Sequence, residues 1–258
     1  MAANQRAADV DAATGRPTGL IRVDARPEPI VLPVDRTAVI VVDLQNGYAT
    51  KGGYRDVMGK DIGPAGRVLE NSARLVTAAR RAGMTIVFLK NGWDAELKTS
   101  GGPGSPNWHK SNPLKLMRTR PELAGKILTH GSWDYEFVDA LRPEPCDFVV
   151  PKSRYSGFCG TDLDNILRAR DIRHLLFVGI ASNVCVESTI RDAYFREYFC
   201  LFIEDATQQS GPAFIQEAVI YTVETFLGWV ATTEAVCQAV QGAASPRSDD
   251  VAPAPIGQ

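Results

Sequence analysis

Short apolar runs recur along the chain, separated by stretches with helical periodicity. Ala38–Val42 reads Ala-Val-Ile-Val-Val and ends abruptly at Asp43. Met84–Leu89, Asp147–Val150, His174–Val178, Phe199–Ile203 and Gly228–Thr232 have the same strand-sized, β-branched or aromatic character. The spacing predicts helices over Ala65–Ala82, closed by Gly83, and over Asp162–Ala169, Asn183–Glu197, Ala213–Phe226 and Thr233–Val240. Strands that are apolar throughout have no solvent face and belong in a parallel sheet covered by helices. Regular alternation of strand and helix therefore predicts a doubly wound α/β fold: a mostly parallel six-stranded sheet with helices on both faces.

The pattern fades at both ends. Residues 1–35 are rich in Ala, Arg, Asp and Pro without periodicity and read as a flexible N-terminal extension. Residues 242–258, with Pro246, Pro253 and Pro255, read as a flexible tail. One domain over residues 36–241 remains. Within it, Gly92–Cys146 forms an insert between the second and third strands. A segment of that length in a compact domain is either a functional lid or a surface excursion packed by its own aromatics.

Composition narrows the function classes. A net charge of −2 excludes a protein that binds nucleic acid through bulk positive charge. No apolar run approaches the ~18 residues of a membrane-spanning helix, and the first 35 residues lack a secretory apolar stretch. Five cysteines without a Cys-x-x-Cys pair, and only three histidines, make a zinc site improbable. The expectation is a cytoplasmic protein with reduced thiols, no metal and no cofactor.

In sheets of this class ligands bind beyond the carboxyl ends of the strands. The residues there are Asp43, Asn91, Lys152, the Ile180–Cys185 turn and Asp205. Cys185 falls at the start of a predicted helix, where free backbone N–H groups and the helix dipole favour a thiolate and offer an oxyanion hole. Asp43 closes an apolar strand, where an unpaired carboxylate is costly. Lys152 follows Pro151 at the third strand end. Bland alternatives stand beside each: a buried apolar thiol, a structural carboxylate, a loop charge. Together the three suit attack on a carbonyl carbon, with Asp43 taking the thiol proton and Lys152 holding both groups. No histidine lies at a strand end, which argues against a papain-like pair.

The segments Val41-Val42-Asp43-Leu44-Gln45-Asn46, Pro151-Lys152 with Tyr155-Ser156-Gly157-Phe158, and Gly179-Ile180-Ala181-Ser182-Asn183-Val184-Cys185-Val186 resemble the isochorismatase-like cysteine hydrolases. The resemblance implies a catalytic triad of Asp43, Lys152 and Cys185. It further implies a cis peptide at Ile180–Ala181 and an oxyanion hole from the Ala181 and Cys185 N–H groups. The insert carries a narrower likeness through Asn91-Gly92-Trp93-Asp94, Gly101-Gly102-Pro103-Gly104 and Gly131-Ser132-Trp133-Asp134-Tyr135. It is similar to the members that cleave the ureido group of ureidoacrylate in pyrimidine degradation. That likeness implies a small ureido or amide substrate. By position and resemblance Asn91, Trp93 and Tyr155 are the substrate-binding candidates, with core packing as their alternative. Arg154 is a carboxylate partner on charge alone. Ser182 and Cys159-Gly160 depart from the pattern, and the latter bears on pocket shape. Family members often associate, so a homo-oligomer is expected.

Rival readings are weaker. A metal-dependent nicotinamidase would have histidines after the second strand, where Asn91-Gly92-Trp93-Asp94-Ala95-Glu96 stands. Other carbamoyl-amide hydrolases, acting on N-carbamoylsarcosine or biuret, keep the triad and remain open. A non-catalytic binding protein has no need of all three triad residues. A dinucleotide-binding dehydrogenase lacks its glycine fingerprint after the first strand.

Overall fold

The computed structural model describes residues 19–244, and it opens with an antiparallel hairpin of β1 (Leu20–Val23) and β2 (Ile30–Pro33). This corrects the expectation of a flexible extension over its second half. Ile21, Val23, Ile30 and Leu32 face one way and are buried, whereas Leu20, Arg22 and Val31 face outward. Such alternation over only four residues per strand is easily lost among prolines and charges. Residues 1–18 of that expected extension lie outside the described residues, as do residues 245–258 of the expected tail.

The main sheet is built from β3 (Thr37–Val42), β4 (Thr85–Asn91), β5 (Phe148–Lys152), β6 (His174–Ile180), β7 (Phe199–Gln208) and β8 (Trp229–Ala231). Its order is β5-β4-β3-β6-β7-β8, and every pairing is parallel. Short helices α1 (Asn46–Ala49) and α2 (Tyr54–Val57) and the long α3 (Ala65–Ala82) follow β3. The insert holds α4 (Pro106–Lys110) and α5 (Asn112–Thr119). Helices α6 (Leu163–Ala169), α7 (Glu187–Tyr194), α8 (Phe214–Thr222) and α9 (Thr233–Ala244) follow β5, β6, β7 and β8 in turn.

Alternate side chains of the central strands feed two separate cores, because successive residues of a strand point to opposite faces. Val39, Val41, Ile86, Phe88, Leu176 and Val178 pack with α3, α9 and the hairpin. Ala38, Ile40, Val42, Val87, Leu175 and Phe177 pack with α6, α7 and α8. Both faces are thus covered, as expected for wholly apolar strands. The edge strand β5 departs from that pattern, with Val149 45% exposed. A third apolar cluster lies within the insert, where Trp93, Leu114, Met117, Ile127 and Leu128 gather around Tyr54.

Candidate active site

Neighbouring strands β4, β3 and β6 end together, and their last residues converge. Asp43 leaves β3 at φ 53° and is fully buried, its N–H donating to the Leu89 carbonyl at 3.2 Å. Lys152 closes β5 opposite Asn91, the last residue of β4. Gly179 on β6 has φ +121°, and a Cβ there would lie 2.1 Å from the Val42 carbonyl oxygen. Only glycine lets the end of β6 approach β3 this closely. The chain then passes a cis peptide at Ile180–Ala181 and a wide π-type turn over Ser182–Val186. The Ala181 carbonyl accepts from the Val184 and Val186 N–H groups at 3.0 and 3.2 Å. Cys185 therefore sits in the turn just before α7 rather than in the first turn of the α-helix itself. Thr189 pins it from behind, donating its hydroxyl to the Cys185 carbonyl at 2.6 Å.

The three side chains expected to act together are adjacent. Lys152 Nζ donates to Asp43 Oδ2 at 2.8 Å and to the Arg154 carbonyl at 3.2 Å, and the side chains of the ion pair are both fully shielded. The Cys185 thiol is close enough to both for the three groups to shift one another's titration. Burial raises the Asp43 carboxyl above the ordinary carboxylate range, against the pull of Lys152. Burial works to lower Lys152, but the site's negative charge, that of Asp43 foremost, outweighs it and holds the ammonium charged. For Cys185 burial acts first and pushes the thiol well up; Lys152 pulls it down, and Asp43 pushes it further up. This corrects the expectation of a lowered thiol. A site closed to water and shared with a carboxylate favours the neutral S–H at rest. The arrangement is thus a protonated nucleophile next to a buried base.

Asn91, Trp93, Tyr155, Ala181 and Cys185 all line one cavity of about 110 Å³, whereas the fully shielded Asp43 and Lys152 side chains are not on its wall. Asn91 is 2% and Trp93 1% exposed, yet Asn91 Oδ1 and Trp93 Nε1 have no hydrogen-bond partner. Buried polar atoms without partners are uncommon, and two on one cavity wall mark it as built for a polar ligand. Tyr155 is half-exposed at the mouth. Arg154 lies elsewhere: Nη1 donates to the Thr99 and Ser153 carbonyls, both at 2.9 Å, and it takes no part in the cavity wall. Cys159 is exposed and is not on the wall either. Asp205 serves the scaffold, accepting from the Thr233 N–H at 2.7 Å and from Asn71.

Three residues of the site escaped sequence reading. Gln45 is fully buried and spans β4 and the insert, Nε2 donating to the Asn91 and Tyr135 carbonyls at 3.0 and 2.7 Å. Asp134 accepts from the N–H groups of Tyr54 and Leu128, both at 2.9 Å, and so locks α2 to the insert. Arg55, on α2, lines the cavity. The insert is thus a wall of the site with its own core. Among the described residues no group of three His, Cys, Asp or Glu side chains is placed to hold a metal ion, and no helix is long and apolar enough to cross a membrane.

Residues 37–235 match the isochorismatase domain family. The ureidoacrylate amidohydrolase RutB of Cronobacter turicensis is 55% identical over 227 residues, covering 88% of this chain and 98% of that protein. The same enzyme of Variovorax paradoxus is 60% identical over 210 residues, or 81% and 83% of the two chains. Among solved structures, a cysteine hydrolase from Pseudomonas syringae superposes with a TM-score of 0.69 at 29% identity, covering 87% of this chain and 98% of that one. A match of that length takes in most of the chain and is not limited to the strand ends. The chain belongs to the isochorismatase family of hydrolases, in the group that includes the RutB ureidoacrylate amidohydrolases.

Proposed function

We propose that this protein is a cysteine amidohydrolase that cleaves the ureido group of ureidoacrylate to aminoacrylate and carbamate, or that of peroxyureidoacrylate to peroxyaminoacrylate and carbamate, in pyrimidine catabolism. The observation that carries the reading is the buried Asp43–Lys152 pair, 2.8 Å apart, beside the Cys185 thiol on the floor of a cavity whose Asn91 oxygen is unpartnered. An unpaired acceptor there suits a ureido N–H.

In this mechanism Asp43 takes the thiol proton as the Cys185 sulfur bonds to the ureido carbonyl carbon. Negative charge gathers on the carbonyl oxygen, against the N–H groups of Ala181 and Cys185. Lys152 keeps a positive charge under the reacting atoms and orients the Asp43 carboxyl. The C–N bond then breaks, the leaving nitrogen takes the proton back from Asp43, and aminoacrylate departs. A carbamoyl thioester remains on Cys185. Water, losing its proton to Asp43, attacks that carbonyl and releases carbamate and the free thiol. Asn91 and Tyr155 orient the ureido group, and Trp93 offers its indole N–H from the wall.

The reading includes a cytoplasmic homo-oligomer. Five unpaired cysteines support the compartment, and the exposed aromatics Phe195, Phe199 and Phe226 around one surface groove support association. Ammonia release from ureidoacrylate, with N-carbamoylsarcosine, biuret and nicotinamide in parallel, tests the substrate. Release from ureidoacrylate alone, abolished in Cys185→Ala, is expected. Release from one of the others instead would transfer the same chemistry to a sibling substrate.

A further inference from the structure

Arg55 is only 7% exposed, lines the same cavity as Cys185 and Asn91, and its Nη1 is buried without a hydrogen-bond partner. It forms no ion pair among the described residues. Burial of the guanidinium works against its charge, and the charges of Tyr54, Tyr48 and Asp61 offset that loss only in part. Lys60 joins it on the cavity wall, and no Asp or Glu does. The wall therefore carries two cations and no anion.

A guanidinium presents a planar fork that matches a carboxylate with two parallel hydrogen bonds. The reacting carbonyl must lie at Cys185, and Asn91 offers an acceptor for an amide N–H. In a cavity of about 110 Å³ the remaining end of a small ligand comes within reach of the α2 wall. Tyr54, the neighbour of Arg55, is held there by Asp134, so α2 is fixed rather than free to swing.

We propose that Arg55 binds the carboxylate of the substrate and selects ureido acids over neutral ureas and amides. This rests on the reading of the site as a ureido hydrolase and adds the group that recognises the acid end. The side chain restricts the enzyme to anionic substrates, since a neutral ligand would leave the guanidinium buried and unpaired.

The test is calorimetric binding of 3-ureidopropionate and of its neutral primary amide to Cys185→Ala protein, which cannot turn the ligand over, with Arg55 intact or replaced by Gln or Lys. With Arg55 intact the acid is expected to bind about 10- to 100-fold more tightly than the amide. The ratio should fall to near one in Arg55→Gln and be intermediate in Arg55→Lys, with folding checked by thermal melting. An unchanged ratio in a folded Arg55→Gln would overturn the proposal. So would equal binding of acid and amide with Arg55 intact, or binding of neither, and neither result needs a change at Arg55. Wild-type turnover of ureidoacrylate is measured alongside. Absent turnover with an Arg55-dependent ratio would retire the reaction and keep the carboxylate site; turnover with an Arg55-independent ratio would do the reverse.

Discussion

The side-chain amide of Gln45 pairs with the backbone of Asn91 in both directions, Nε2 donating to the carbonyl at 3.0 Å and Oε1 accepting from the N–H at 2.8 Å. Asn91 is thereby held as though β4 continued past its last sheet partner. Its side chain then faces the cavity with a fixed backbone. Nε2 also donates to the Tyr135 carbonyl, so one buried amide sets the strand end and the insert together.

Replacing Gln45 by Leu keeps the volume but strands three backbone groups in a dry site. Each unsatisfied group costs about 1–3 kcal/mol. The variant is expected to melt earlier and to lose at least tenfold in kcat/KM through misplacement of Asn91. Denaturant unfolding and steady-state kinetics on the same preparation check this. Wild-type kinetics in a destabilised Gln45→Leu would show that the clamp serves folding alone.

The acid limb of activity should report Asp43. Burial holds its carboxyl above the ordinary value of about 4. The proposed base works only when ionised, so kcat/KM should fall as pH drops while still above that ordinary value. Asp43→Asn should abolish turnover rather than shift the limb. Lys152→Met removes the charge that opposes burial, so any residual activity should have its acid limb at higher pH. Breaking the buried pair should also cost about 3–5 kcal/mol of stability. A wild-type limb at or below pH 4 would remove Asp43 from the role of base.

Cys185 links stability to alkaline pH. Its folded-state pKa is raised from the ordinary 9.0, so the folded protein keeps the proton after the unfolded chain has lost it. The contribution is fully present below about pH 9 and declines as pH rises toward the folded value, by up to about 1.4 kcal/mol per pH unit. Cys200 is buried and shifted the same way, so the informative quantity is the difference between wild type and Cys185→Ala. Wild-type stability relative to Cys185→Ala should fall above pH 9, read from urea midpoints converted to free energy. Parallel curves would mean that burial does not raise the thiol.

Much of the scaffold was legible because it repeats. Six apolar runs, each ending in a polar residue, glycine or proline, put Asp43, Lys152 and Cys185 at one edge of a parallel sheet. What escaped has no period. Gln45 and Asp134 act through backbone groups distant in sequence, and a single polar letter carries no sign of that. Arg55 reads as an ordinary surface charge until the insert closes over it. The thiol was misjudged for a related reason: the helix start is visible in sequence, whereas the burial that outweighs it comes from the packed site. Arg154 looked suitable on charge, but its guanidinium is taken up by the Thr99 and Ser153 carbonyls.

The hairpin offers the last prediction. Leu32 is fully buried, and Ile21 is 2% exposed in the cluster that also holds Val236 and Val240 of α9 and Leu75 of α3. Ile21→Ala or Leu32→Ala should each cost about 2–5 kcal/mol, as for other large core deletions. The outward-facing Val31→Ala, 47% exposed, should stay within about 0.5 kcal/mol. The hairpin touches the sheet face served by α3 and α9, and none of its residues lines the catalytic cavity. KM for ureidoacrylate should therefore be unchanged in the folded fraction of both core variants. If Ile21→Ala and Leu32→Ala melt like wild type, residues 20–33 contribute nothing to the core and the assignment as an unstructured extension is restored.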